Sequence, residues 1–403
     1  MATQGLESLV SSLSAFHTSD PRDTINALIN ISKEGIGLSA RVKAHVEAGY
    51  APLRLETTVF EDRKGGRISQ VMHLGRKPPP PPSYQKDLLD VYISFLEWIV
   101  DTTGSINILC RHWACPERDR REVGYPELVK LPTWIKLTSD GAFVHEQHHW
   151  YRQNADSLVG LPENSPYNAC DRFSKASIKF FTHQASEKPI SGPVALDLRK
   201  SASARVKGLR LGTVEKATDS VSGGNIPITA LDLLGWKRGR DQGELRDDIW
   251  RPLVAERGFH GTNPPTLWRK ACADILINHT ESGSINIHMI EPKADLAQTK
   301  KFLKRMKQVT WNRRFLDVTL DKVYREAYRS DDHITGLGPP DTRLADIVCI
   351  LYGCTVPCIL RPVRDGKYEF VGEAYIYGFM NGEAVTMLET SELAEQEKVF
   401  EVI

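Results

Sequence analysis

The chain is 403 residues long, 41% hydrophobic and 26% charged, with 52 Lys and Arg against 51 Asp and Glu for a net charge of +1. That length allows two or three domains and a real core, and the charge balance excludes a global field drawing the chain to nucleic acid or anionic membrane. The 7 cysteines are odd in number, no basic-then-apolar leader opens the chain, and no apolar run nears the roughly 18 residues of a membrane span, so the sequence predicts a reduced, cytoplasmic protein.

Residues 1–17 place Leu6, Leu9, Val10, Leu13 and Phe16 where a helix fragment would pack. In "TSDPRDTINAL", Asp20 is a natural N-cap, Pro21 suits a first helical position and Asp23 favours the positive helix start. Ile25, Leu28 and Ile29 then share one face of a short helix predicted to end near Gly35. Residues 49–82 lack a sustained period and finish in "KPPPPPS", an extended linker. Ser83 is the expected cap of the next helix, whose stripe is Leu88, Val91, Tyr92, Phe95, Leu96 and Ile99 and whose stop is Gly104. "SINILC" reads as a buried strand, "LPTWIKL" as an extended piece, and "ARVKGLRLGTVE" as a strand; helices are predicted from Pro227 and over 244–257, 265–280 and 293–310. "RRFLDVTL", "ADIVCILYG", "VPCILRPV" and "YEFVGEAYIYG" are short strands of a small sheet or barrel. The fold class is therefore α+β: a helical N-terminal segment with its DPRD cap over 1–48, a proline-rich linker over 49–86, a mixed α/β region over 87–203, and helices with a β module over 204–403.

Few residues offer chemistry. "HEQHH" matches H-E-x-x-H, in which His145 and His149 would hold zinc from one helical face and Glu146 would serve as general base; a third ligand, Glu163 or His183, can only be guessed. Its polar surroundings argue against a buried catalytic helix. Cys349, Cys354 and Cys358 are close in sequence but read better as small buried hydrophobes than as a soft-metal or redox site, and Cys110 and Cys115 flank His112, a candidate to activate a thiolate, but again read as structural. The segment "KKFLKRMKQVTWNRR" reads as a surface helix packed through Phe302, Leu303, Met306 and Val309. "GLGPP" and "SGGN" are turns, and Asp341 or Asp346 is expected to pair with Arg343.

Several phrases together resemble one family, the fungal heterokaryon-incompatibility (HET domain) proteins. They are "DPRDTINALI" with Asp20, Pro21, Arg22 and Asp23; "LPTWI" with Trp134; "DDIWRPLVAERGFHGTNPP" with Trp250 and Arg251; "GLGPPDTRLADIV" with Gly338, Pro339, Pro340, Arg343 and Asp346; and "YEFVGEAYIYG" with Gly372, Glu373, Tyr375 and Gly378. Asn26 stands where the family usually has tyrosine, and the HET module that normally precedes DPRD, similar to Toll/interleukin-receptor domains, is not found in the sequence. The resemblance thus implies a C-terminal accessory or recognition region in nonself recognition and programmed cell death, with motif residues in structural roles. It implies no catalysis of its own, no cofactor, protein partners, and no nucleic acid. A zinc-dependent hydrolase built on HEQHH and a stand-alone protein-binding module remain as alternatives.

Overall fold

The computed structural model describes residues 4–13, 20–35, 60–61, 67–68, 78–116, 130–146, 149–173, 175–184, 200–237, 245–278, 284–290, 297–328, 333–388 and 395–403. Of the expected linker, 49–86, only 60–61, 67–68 and 78–86 are among them. Helices α1 (Leu6–Ser12) and α2 (Asp23–Ile29) bury Leu6, Val10, Ile25 and Ile29 in the same core as the middle of the chain. Glu7 on α1 pairs with the buried guanidinium of Arg111, whose Nε also donates to Gly160 O at 3.3 Å. A short ribbon, β1 (Phe60–Glu61) with β2 (Arg67–Ile68), follows.

The helix after DPRD starts two residues later than expected, and Asp20 is not its N-cap. The helix begins at Asp23, not at Pro21, because Asp20 builds a turn of its own: Oδ1 accepts the Arg22 N–H at 2.9 Å while its carbonyl accepts the Asp23 N–H at 2.9 Å. The Arg22 side chain then reaches across the chain, donating to Asp20 Oδ2 at 2.7 Å and to the carbonyls of Tyr84 and Lys86 at 2.7 and 3.0 Å. Tyr92 donates to Pro21 O, Tyr84 to Asp23, and Asn26 to Ser83 O, so the motif staples α2 to the segment before the next helix.

That helix, α3 (Leu88–Thr103), carries the expected stripe and ends at left-handed Gly104, but Asp87 caps it by accepting from Asp90 N, in place of Ser83. Leu89, Ile93 and Trp98 are buried as well, so α3 is enclosed by the core rather than laid on it. "SINILC" is buried as predicted but forms a 3-10 turn over Asn107–Cys110, not a strand: Ser105 Oγ accepts the Asn107 N–H, and Asn107 Oδ1 takes the Thr355 N–H at 2.9 Å. "LPTWIKL" is likewise not extended throughout; Ile135 N–H closes a turn on Pro132 O at 3.0 Å.

Strands β3 (Phe143–Glu146) and β4 (His149–Arg152) form a hairpin. Beyond it run β5 (Ile178–Gln184), the long β6 (Lys200–Ala217), β7 (Asn225–Ile226), α4 (Ile228–Leu233), α5 (Asp247–Trp250), α6 (Leu267–Asn278), β8 (Ile285–Asn286) and α7 (Ala297–Thr310). The β module comprises β9 (Arg314–Leu320), α8 (Lys322–Tyr328), β10 (His333–Gly338), β11 (Ile347–Leu351), β12 (Cys358–Pro362), β13 (Lys367–Glu373), β14 (Tyr375–Ile376), α9 (Glu383–Thr386) and β15 (Glu397–Val402).

The sheet closes. Its path runs β11-β12-β13-β15-β6, and β6 pairs back onto β11, completing a ring. A second circuit shares those strands: β6 also pairs with β9, β9 with β10 and β10 with β14, which Ala374 alone separates from β13. The interior of this circuit is one apolar cluster that includes Leu209, Leu211, Leu316, Val318, Val348, Ile350, Ile359 and Ile376. Their alternates Phe315, Ile347, Cys349, Leu351, Cys358 and Leu360 belong to the other cluster, shared with the helices. Both faces of β11 are therefore buried, each such side chain contributing about 1.5–3 kcal/mol. β6 serves both circuits because its backbone passes close to its neighbours: a Cβ on Gly212 would lie 2.3 Å from Thr319 O. Fold class α+β holds, with helices preceding and covering a closed C-terminal sheet.

Candidate functional site

Three of the resemblance phrases converge on one cavity of about 730 Å³. The first wall is the LPTW turn. Trp134 is buried and tilts against Phe180, while Thr133 stitches the turn to the barrel, its Oγ1 accepting the Phe370 N–H at 2.8 Å and donating to Ile403 O. Lys136 follows, donating to the carbonyls of Phe370 and Val371 at 3.1 and 2.8 Å, its ammonium held below the usual lysine range by burial.

The second wall is the turn after β10. Gly338 ends that strand, Pro339 O accepts from Thr342 Oγ1 at 2.8 Å, and Pro340 leads into Asp341. Asp346, buried, accepts the Arg343 N–H at 2.7 Å, but its guanidinium partner is Arg361 and not the expected Arg343: Arg361 Nε and Nη2 each lie 2.9 Å from a carboxylate oxygen of Asp346. The planar fork suits a bidentate carboxylate on the neighbouring strand, and this releases the Arg343 side chain to the cavity. Lys136, Arg343 and Arg361 with Asp140, Asp341 and Glu369 give the cavity a charged lining of both signs over an apolar floor of Ile135, Leu137 and Phe370.

The GEAY phrase forms the seam behind it. Gly372 packs against Pro339, linking the two motifs, and Gly378 turns the chain after β14. Glu373 is buried and accepts from Leu158 N at 2.8 Å, Ser157 Oγ at 3.0 Å and Arg313 Nη2 at 2.7 Å. Arg313 also donates to Val309 O and Asp156 O. Tyr375 is fully buried in the same region. Trp250 and Arg251 lie elsewhere: Asp247 accepts the Trp250 indole N–H at 2.8 Å and pairs with Arg251 and Arg269, tying α5 to α6. The predicted helix over 244–257 is in fact broken here into α5 and a 3-10 turn at Pro252–Val254.

HEQHH does not form the geometry of its pattern. His145 and Glu146 fall on β3 and His149 on β4, with Glu146 opposite His149 and His145 opposite Trp150, so the two histidines do not share a helical face. The side chains of His145 and Glu146 lie outside the described residues. His183 sits on β5, and Glu163 accepts from Ser8, so neither guessed third ligand is placed by a helix beside them. The basic segment is α7, packed through Phe302, Leu303, Met306 and Val309 as expected, with Lys307 over Trp311 and Lys304 over Phe259.

The cysteines regroup. Cys349 belongs to the strand core, and Cys110, 244 residues away from Cys354 in sequence, comes within 3.9 Å of its sulfur; Cys354 and Cys358 sulfurs lie 3.6 Å apart. All three are buried and free. His112 is held neutral, pushed down to about 4 by burial and then by the positive Lys136 and Arg313, so its ring is no partner for an activated thiolate at neutral pH.

A closed barrel whose strands meet a helical shell, with a charged cavity at the seam, is the class of structure these residues define. The family model described as the Het-6 beta-barrel domain matches residues 285–396, in the C-terminal part of this chain. The matched stretch contains β9 to β14 but neither β6 nor β15, which complete the barrel in this chain. No curated protein and no solved structure matches the chain. No helix among the described residues is long and apolar enough to cross a membrane.

Proposed function

We propose that the chain is an accessory recognition region of a fungal heterokaryon-incompatibility protein, acting in nonself recognition and cell death through protein binding and without catalysis of its own. The observation that carries this reading is that one cavity is lined by the LPTW turn, by Asp341 and Arg343 after GPP and by Glu369 to Val371 before GEAY, alongside the Het-6 barrel match. Lining charges of both signs suit a polar segment of a protein partner better than a single-sign ligand such as nucleic acid. Beside the cavity, Asp140 leads into the β3–β4 hairpin, where Phe143, Trp150 and Tyr151 are exposed, a composition typical of binding hot spots.

The test is expression of the full chain in pairs of fungal strains that fuse compatibly, scoring viability of fusion cells with wild type and with Arg343→Glu. Loss of viability in particular pairings, relieved by the substitution, is the expected result. Fusion cells equally viable with and without the chain in every pairing would overturn the reading.

A further inference from the structure

The cavity leaves one feature unused. Apart from its lining, Cys110 ends a 3-10 turn, Cys354 follows β11 and Cys358 opens β12, so three elements deliver sulfurs that lie within 4.8 Å of one another. We propose that Cys110, Cys354 and Cys358 form a binding site for one thiophilic closed-shell cation, Cu⁺ or Zn²⁺, held by three thiolates.

The geometry fits before any ion arrives. With metal–sulfur bonds of about 2.3 Å, ligand sulfurs stand roughly 3.8 Å apart around a tetrahedral ion and roughly 4.0 Å apart around a trigonal one. The observed separations of 3.9 and 3.6 Å require little rearrangement. Cys354 and Cys358 have the C-x₃-C spacing of a metal hairpin, with the third ligand arriving from far away in sequence. Among the described residues no His, Asp, Glu or further Cys joins the group, and an all-sulfur set selects soft ions over magnesium or calcium.

The electrostatics agree. Cys354 sits in contact with both other sulfurs, so one centre can draw on all three. Two cations act on the cluster: Lys136 is felt by Cys110 and Cys358, and Arg111 by Cys354, although Arg111 shares its charge with Glu7. Lys136 donates only to carbonyls among the described residues and has Asp140 and Asp341 as more distant anions, so a negatively charged metal–thiolate group would add to its counter-charge. Binding replaces each thiol proton by a metal–sulfur bond, releases the protons to solvent and changes no oxidation state.

To test this, the purified full chain is stripped of metal under reducing conditions, offered Cu⁺ or Zn²⁺ in separate anaerobic samples, washed with a weak chelator and analysed for metal per chain. One ion per chain is expected with one or both metals, together with a thiolate-to-metal absorption band, and the metal retained identifies the ion. Cys354→Ser should weaken retention about a hundred-fold, whereas Cys349→Ser, buried in β11 outside the cluster, should retain it. Because a buried serine can itself disturb folding, the wild type is also alkylated in mild denaturant with and without metal. Protection confined to Cys110, Cys354 and Cys358 supports the site. Folded wild type that retains neither ion, or protection shared equally by Cys272, overturns it.

Discussion

Glu373 is the residue whose loss the structure prices most clearly. In Glu373→Ala, Arg313 keeps its carbonyl acceptors but loses its only anion among the described residues, inside a site where both side chains are nearly inaccessible. Breaking a buried pair from one side costs about 3–5 kcal/mol, because a charge is left uncompensated. The Leu158 N–H, bonded at 2.8 Å, is orphaned as well and adds about 1–3 kcal/mol unless water enters. Glu373→Gln keeps the shape and one acceptor oxygen, so it should cost roughly half as much. Replacing both members, Arg313→Met with Glu373→Leu, should recover most of the loss, since the desolvated charges go together. Urea denaturation followed by tryptophan fluorescence and by circular dichroism measures this through the midpoint, with coincidence of the two probes checking that one transition is being read. A Glu373→Ala protein within about 0.5 kcal/mol of wild type would show that the Glu373–Arg313 pair does not hold Asp156 to Leu158 to the barrel.

Two further outcomes follow from the fold. A fragment of residues 285–403 lacks β6, so it should be aggregated or unstructured by circular dichroism, while a fragment starting at residue 175 should show cooperative unfolding; a folded 285–403 fragment would contradict the closed pairing. Asp20 is held below the usual carboxylate range chiefly by its hydrogen bond with Arg22, so its stabilising contribution is present above the unfolded value of 3.8 and is lost as pH falls through the folded one. Stability of Asp20→Asn should therefore fall less steeply than that of wild type below about pH 4, and parallel acid-denaturation curves would remove Asp20 from the clamp.

Periodicity made the long elements legible. The α3 stripe, the α7 apolar face and the strands β9, β11, β12 and β13 lie where alternation or a 3.6-residue period put them, whereas β10, which takes in the first three residues of the expected "GLGPP" turn, and β15 were not anticipated. Short apolar runs were ambiguous: "NILC" has the composition of a strand, and what turns it into a 3-10 segment is the pairing of Ser105 and Asn107, one of whose partners is Thr355, far along the chain. At 143–152 the H-E-x-x-H spacing suggested a helical face, yet Phe143, Val144, Trp150 and Tyr151 on either side of it are the β-branched and aromatic flanks of a two-strand ribbon. The Asp346–Arg361 pair carried no local signal, and of the three-cysteine cluster the sequence offered only the Cys354–Cys358 spacing, because Arg361 and Cys110 reach their partners only once the barrel closes. Closure itself was beyond spacing, since it depends on β6 finding partners on both edges.

That long strand also sets a schedule for synthesis. β6 ends at Ala217, whereas its partners β9 and β11 begin at Arg314 and Ile347 and β15 at Glu397, so a ribosome adding roughly 5–20 residues per second leaves part of its edge unmatched for about 5–40 seconds. During that interval its apolar positions Leu209, Leu211 and Val214 lack the neighbours that later cover them, although β5, made just before, can already occupy the first third of the strand. The intervening helices α4 to α7 emerge while β6 waits, and substitutions that slow their packing would prolong the period in which two nascent chains can pair edge to edge. Yield in the cell would then depend on helices that contribute no strand to the barrel.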